Sequence, residues 1–97
     1  MMVFGFVLNG CNAGISGTYE SESGVYTIKF TSSKECTWYQ NGMFFNGTYE
    51  ETDSGYSLEI VGSGTAANTV FIAVKDGNDL VVTGGILDHN GERFIKK

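Results

Sequence analysis

The chain has 97 residues, of which 41% are hydrophobic and 18% charged, so its length and composition suit one folded domain rather than two domains or a disordered segment. Eleven acidic residues against six basic ones give a net charge of −5, and the basic residues do not cluster beyond Lys96-Lys97. Because nucleic-acid binding needs a cationic surface, the charge argues against that function.

The glycine and proline contents favour a chain of β-hairpins. Fourteen glycines supply the positive φ angles that tight two-residue turns require, and the lack of proline leaves every strand with its full set of backbone donors. We therefore expect a series of short antiparallel strands.

The first eleven residues admit two interpretations. The apolar run from Met2 ends in Leu8-Asn9-Gly10-Cys11, which resembles the lipobox that closes a bacterial lipoprotein signal peptide, although Asn9 and the lack of a basic n-region depart from that pattern. The resemblance implies that residues 1–11 are a signal remnant, that Cys11 is the site of lipid attachment, and that residues 12–97 form the single folded domain. The other interpretation is a first β-strand packed into the core.

From residue 15 onward, apolar and polar residues alternate, and turn sequences interrupt the alternation about every 8–12 residues. Asn41-Gly42 is among the strongest short hairpin signals. No segment has a convincing helical period. The predicted strands cover residues 15–22, 25–31, 35–40, 43–50, 56–61, 69–75, 80–83 with a continuation at 86–87 beyond a bend, and 93–95.

A short repeat indicates that two parts of the sheet are equivalent. Gly17-Thr18-Tyr19-Glu20 recurs 30 residues later as Gly47-Thr48-Tyr49-Glu50, and each copy precedes a Ser-Gly turn and an alternating strand. Two copies of this strand–turn–strand unit are consistent with a closed or nearly closed barrel, in which no sheet edge is exposed. The predicted fold is therefore all-β, a single small antiparallel meander barrel of about seven to eight short strands, with a β-sandwich as the alternative.

The same segments resemble the small lipocalin-like barrels of bacterial secreted lipoproteins. Gly17-Thr18-Tyr19, Thr27-Ile28-Lys29-Phe30 and Gly47-Thr48-Tyr49 carry the likeness. The resemblance implies a barrel in an extracytoplasmic compartment, either secreted or lipid-anchored at the cell envelope. It implies no particular ligand, because many such families have no assigned activity.

The histidine and cysteine residues offer little support for catalysis. His89 is the single histidine and lies in a turn sequence, so a solvated side chain is expected. Cys36 lies on an alternating strand, where a buried core thiol is the leading interpretation. A disulfide to Cys11 and a reactive thiol are its alternatives.

The carboxylates form no clear site either. Glu20 and Glu50 occupy equivalent places in the repeat and raise the possibility of paired acids, as in a glycosidase, but solvated carboxylates are far commoner. The segment 76–79 hints at a calcium loop but lacks the spacing of an EF-hand, and a hairpin turn explains it. The sequence therefore predicts a protein that is not an enzyme and has no metal or cofactor.

The aromatic residues are the feature that points to recognition. Trp38 and Tyr39 are adjacent in one predicted strand and therefore face opposite sides of it, as do Phe44 and Phe45. One residue of each pair is a candidate for exposure, although a barrel of this size can also fill its interior with side chains. The predicted ligand- or partner-contact residues are Tyr19, Trp38 and Tyr49.

The predicted function is a non-catalytic extracytoplasmic domain that binds an unknown protein or small ligand, or associates with copies of itself. Contact with a membrane is expected only through a lipid anchor. The alternative is a small secreted inhibitor of a hydrolase, which would present the small-residue loop 62–67 to the enzyme's cleft.

Overall fold

The computed structural model describes residues 15–62, 67–85, 87 and 90–97. These residues form eight β-strands and contain no helix. The strands are β1 (Gly17–Ser21), β2 (Tyr26–Phe30), β3 (Glu35–Gln40), β4 (Met43–Glu51), β5 (Gly55–Ile60), β6 (Thr69–Asp76), β7 (Asp79–Gly84) and β8 (Glu92–Lys96).

The strands close into one antiparallel barrel. Each strand pairs with the next along the chain, and β8 returns to pair with β1. The backbone N–H of Lys97 donates to the carbonyl oxygen of Thr18 and extends this closing pair. The all-β meander barrel predicted from the sequence is therefore confirmed, and the sandwich alternative is not adopted. No helix of the described residues could span a membrane.

Period-two alternation explains which side chains fill the barrel. Alternate residues of each strand point inward, because successive side chains of a strand leave opposite faces. Trp38 is 2% exposed, whereas its neighbour Tyr39 is 38% exposed. The interior side chains with 0–1% exposure are Ile28, Leu58, Ala73, Leu80, Val82 and Phe94.

The predicted strand bounds agree with the observed ones to within two residues, except after β7. This strand ends at Gly84, and Leu87 lies in a bend, so the predicted continuation at 86–87 is wrong for Leu87. Gly84 and Gly85 both have positive φ, and a side chain on Gly84 would place its Cβ 2.5 Å from the carbonyl oxygen of Val70. The chain leaves the sheet there because only glycine fits that backbone.

The sequence repeat has a counterpart in the strand register. Tyr19 lies opposite Ile28 in the β1–β2 hairpin, and Tyr49 lies opposite Leu58 in the β4–β5 hairpin, which are the equivalent positions. Because β1 and β4 are three strands apart in an antiparallel meander, they run in opposite directions. The two hairpins therefore turn at opposite ends of the barrel.

The barrel has two ends that differ in chemistry. The Asn41 end carries the connections that follow β1, β3, β5 and β7. The Tyr56 end carries the connections that follow β2, β4 and β6, together with Ile15 before β1 and Lys97 after β8.

Candidate functional site

The Tyr56 end contains a packed aromatic cluster. The ring of Phe30 lies 5.6 Å from that of Tyr19 and 5.0 Å from that of Tyr49, both edge-on, and Tyr49 lies 5.7 Å from Tyr56. The Tyr49 hydroxyl donates to the carbonyl oxygens of Ile15 and Ser32. Burial raises the pKa of Tyr49, and the neighbouring Tyr56 raises it further, so this hydroxyl stays protonated at neutral pH.

Trp38 belongs to a second aromatic group, nearer the Asn41 end. Its ring stacks on that of Phe71 at 4.3 Å with an interplanar angle of 14°, and Tyr26 lies 5.3 Å away. The indole Nε1 donates to Oε1 of Gln40 at 3.0 Å, which satisfies the polar atom of a buried ring.

The three predicted contact residues all lie inside the barrel. Tyr19 and Tyr49 share the cluster around Phe30, while Trp38 lies in the other group, so the fold brings two of the three together. Their exposures are 4%, 4% and 2%. They pack the interior, and a partner would reach them only through the ends of the barrel. Their contact role stays a prediction.

The exposed members of the two aromatic pairs are Tyr39 and Phe44. They lie opposite each other on the outer face of β3 and β4, with ring centroids 6.3 Å apart. Phe44 is 65% exposed, although phenylalanine is usually buried. The sequence predicted one exposed residue in each pair but could not say which, since that depends on which strand face turns inward.

The β3–β4 turn holds this pair at the tip of a hairpin. Asn41 and Gly42 have φ angles of 53° and 77°, as expected for the two central residues of a type I′ turn. Their backbone twist matches that of the flanking strands, which keeps Tyr39 and Phe44 in register.

Val61 extends the pair to the end of a third strand, and Met43, opposite Gln40 on the other face of β4, is exposed at the hairpin tip. The N–H of Val61 donates to the carbonyl oxygen of Asn46, which holds Val61 beside β4. Met43 is 55% exposed and Val61 49%. An open groove of about 590 Å³ lies between them. We call Tyr39, Met43, Phe44 and Val61 the apolar patch.

A carboxylate lies beside Val61 at one edge of the apolar patch. No connection at the Asn41 end contains a lysine or arginine in its sequence. Glu59 precedes the patch on β5, and its carboxylate accepts a hydrogen bond from Asn68, whose amide oxygen accepts one from the N–H of Gly62. This network fixes a carboxylate at the edge of the groove.

Cys36 is a free and buried thiol, so the core interpretation of this residue is confirmed. Burial raises the pKa of the thiol to about 11, which keeps it protonated and unreactive at neutral pH. Cys11 lies outside the described residues. Its predicted roles, as the site of lipid attachment and as a disulfide partner of Cys36, therefore stay predictions.

The paired-acid hypothesis is wrong. Glu20 and Glu50 lie on the outer faces of β1 and β4, which are separated by two strands, and Glu20 forms an ion pair with Lys97 at 3.1 Å. Within the described ranges, no group of three or more metal-ligating side chains converges.

The segment 76–79 is a tight hairpin turn, as predicted. Asp76 and Asp79 both contact the guanidinium of Arg93. These carboxylates are therefore part of an ion-pair network on the outside of the barrel. His89 and residues 63–66 of the predicted inhibitory loop lie outside the described part of the chain, so both of those interpretations stay predictions.

Comparison with known proteins identifies no relative. No protein-family model matches the sequence, and no curated protein or solved structure is significantly similar to the chain. The candidate site must therefore be judged from its own geometry.

Proposed function

We propose that this chain is a non-catalytic binding domain that recognises a partner protein through the apolar patch. The observation that carries the proposal is the outward-facing pair of Tyr39 and Phe44 at a rigid hairpin, extended by Met43 and Val61. Aromatic residues and methionine are enriched at the centres of protein interfaces, and contiguous exposed apolar surface marks interaction sites.

The filled interior supports an external contact surface. Trp38 stacks on Phe71 in the middle of the barrel, and the neighbouring interior side chains of Ile28, Leu58 and Phe94 have no exposure. A ligand carried inside the barrel would have to displace this packing, whereas a partner on the patch displaces only water.

The chemistry of the partner follows from the surrounding charge. The carboxylate of Glu59 borders the patch, and the loops at this end lack basic residues. The partner therefore presents a large apolar side chain flanked by lysine or arginine, because such a segment fills the groove and meets complementary charge at its rim.

A display library of random peptides tests this proposal without a known partner. Peptides selected on the full chain should contain an aromatic or aliphatic anchor next to basic residues. Phe44→Ser should weaken their binding at least about tenfold, since a central aromatic anchor typically contributes 2 kcal/mol or more. The matched control is Ile72→Ser, which removes an exposed apolar side chain from the outer face of β6. Equal weakening by both variants, or selection of acidic peptides, would contradict the proposal.

The occupant of the patch could instead be a second copy of the chain, and sedimentation distinguishes the two cases. A monomeric wild-type chain at high micromolar concentration agrees with a separate partner. A wild-type dimer that Phe44→Ser dissociates would replace the partner with a homodimer.

We also propose an extracytoplasmic location with a lipid anchor at Cys11. The lipobox-like sequence Leu8-Asn9-Gly10-Cys11 and the likeness to lipocalin-like lipoprotein barrels support it. Mass spectrometry of the chain purified from membranes should find an N-terminus at residue 11 with added acyl mass. An unmodified chain that retains residues 1–10 would refute the anchor.

A further inference from the structure

Two lysines point into the barrel mouth at the Tyr56 end. Lys75 lies opposite Leu80 in the β6–β7 pair, and Lys96 lies opposite Tyr19 in the β1–β8 pair. Paired residues share a sheet face, and both Leu80 and Tyr19 are buried inside the barrel. Both lysines therefore lie on the inner face, at the point where their strands end.

Neither of these ammonium groups is neutralised by a carboxylate in the described part of the chain. Lys75 Nζ lies 5.3 Å from the ring centroid of Tyr56, and Lys96 Nζ lies 6.0 Å from that of Tyr19. A tyrosine ring attracts a cation but leaves its full charge available to a ligand. In contrast, Arg93 and Lys97 on the outer surface both form ion pairs.

The two tyrosines whose rings face the lysines have hydroxyls with no hydrogen-bond partner in the described part of the chain. Tyr19 is 4% exposed and Tyr56 5%, yet no hydrogen-bond partner of either hydroxyl is found among the described residues. The Tyr49 hydroxyl beside them is fully engaged with two carbonyl oxygens. A buried hydroxyl without a partner is unfavourable unless a ligand or water satisfies it.

These groups surround one small cavity of about 130 Å³. Its lining includes Tyr19, Tyr56, Lys75 and Lys96, together with the carboxylate-bearing Asp79 and the apolar Leu80. A volume of this size holds roughly four water molecules, which is room for a single compact group rather than for an extended molecule.

The acidic residue in the cavity lining, Asp79, already has hydrogen-bond partners. Asp79 accepts hydrogen bonds from the Arg93 guanidinium and from the backbone N–H of Lys96. Arg93 therefore balances part of the Asp79 charge, although that charge still reaches Tyr19 and, after burial and Tyr56, helps to raise its pKa. The lining thus carries the two positive charges of the lysines against the one carboxylate of Asp79.

We infer that this mouth is a binding site for one oxyanion, a phosphate or carboxylate group, held by the ammonium groups of Lys75 and Lys96 and by the hydroxyls of Tyr19 and Tyr56. Ammonium groups supply the charge that an oxyanion needs, and phenol O–H groups supply directed hydrogen bonds to its oxygens. The site lies at the opposite end from the apolar patch and does not depend on the proposed protein partner.

Titration of the full chain with sodium phosphate at constant ionic strength, followed by NMR, tests the inference. Saturable shifts should appear at the amides of Lys75, Leu80 and Lys96. The double variant Lys75→Gln with Lys96→Gln should weaken phosphate binding about tenfold or more, because it removes both charge-assisted contacts. Tyr56→Phe, which keeps the ring and removes only the hydroxyl, should weaken it by a smaller factor and leave the fold intact.

The matched control is Lys29→Gln, within β2 and outside the cavity lining, compared with each single mouth variant, Lys75→Gln or Lys96→Gln, which changes the net charge equally. Equal weakening by control and test variants would overturn the site, because the effect would then be one of general charge. Absence of saturable shifts with both phosphate and acetate would also overturn it. Competition by vesicles of an anionic phospholipid would assign the group to a lipid headgroup, whereas binding of soluble anions alone would assign it to a small solute.

Discussion

The two ends of the barrel use the same residue types in opposite ways. At the Tyr56 end, Tyr19, Phe30, Tyr49 and Tyr56 pack against one another and none is more than 5% exposed. At the Asn41 end, a phenylalanine of β4 is 65% exposed. Aromatic content alone therefore says little about contact surfaces. The parity of a residue within its strand decides whether its ring stabilises the core or faces solvent.

The ends also differ in the electrostatics they offer. The mouth at the Tyr56 end holds two ammonium groups that form no ion pair with the described residues, and the patch at the Asn41 end is apolar with the carboxylate of Glu59 at its edge. A partner suited to one end is therefore unsuited to the other. Four tests would sharpen this contrast or remove it.

The largest effect is expected from Trp38→Ala, which removes the ring between the two ends. Loss of a large buried aromatic typically reduces the free energy of unfolding by about 3–5 kcal/mol, much of the stability of a domain of this size. Tyr39→Ala, one position along and exposed, should reduce it by less than about 1 kcal/mol. Urea denaturation of both variants gives the comparison. Similar losses would mean that Trp38 does not organise the core.

The next effect concerns the glycines of the two ends. A Cβ at Gly55, where β5 begins at the Tyr56 end, would collide with the backbone carbonyl of Ala73, so Gly55→Ala should destabilise the chain by about 2–3 kcal/mol. Gly42→Ala meets open space and suffers only from its φ of 77°, a penalty of about 1 kcal/mol. Thermal denaturation measures both. If Gly42→Ala reduced the stability more than Gly55→Ala, the backbone at the Asn41 end would be the more tightly packed, contrary to this prediction.

A third, smaller effect depends on pH and arises near Tyr49. Burial raises the pKa of Cys36 from 9.0 to about 11, so the unfolded chain ionises this thiol before the folded chain does. The contribution of Cys36 to stability is therefore complete below pH 9 and is lost as pH rises from about 9 to 11.

Cys36→Ala isolates that effect, because it removes the thiol and retains every other titratable side chain. Over this interval, the free energy of unfolding should fall further in the wild-type chain than in the variant. Parallel curves would show that the thiol is ionised or solvated in the folded state.

The smallest effect on stability is expected at the patch. Phe44→Ser loses only a cross-strand contact with Tyr39, so the free energy of unfolding should change by less than about 1 kcal/mol. Chemical denaturation checks this directly. A loss of several kcal/mol would mean that the patch is part of the core, and weakened binding by this variant would then have no simple interpretation.

Much of the fold was predictable because its signals are local. The Asn41-Gly42 turn, the alternation in 25–31 and the 30-residue repeat identified hairpins and most strand bounds. The sequence correctly predicted a bend at Gly84-Gly85, but it wrongly predicted that the strand continues at Leu87. The reason is that the backbone of Gly84 lies close to Val70 of the neighbouring strand, and a contact between strands has no local sequence signal.

The group of residues at the Tyr56 end was predictable only in part. Tyr19 and Tyr49 were selected, and they lie together, but Tyr56, Lys75 and Lys96 carried no signal in the sequence that linked them. Tyr56 is 30 residues from Tyr26 and equivalent to it in the repeat, yet the two tyrosines lie at opposite ends of the barrel. Lys75 and Lys96 share a cavity because β6 and β8 flank β7 and both lysines lie at the Tyr56 end.

By itself, the sequence determined the all-β class, the order of the hairpins and the alternation of inner and outer residues, because turn chemistry and a period of two act over a few residues. Only the tertiary structure decided which face of each strand turned inward, that β8 meets β1, and which side chains share an end. Those outcomes depend on barrel closure, which joins residues far apart in the chain and buries one face of every strand at once.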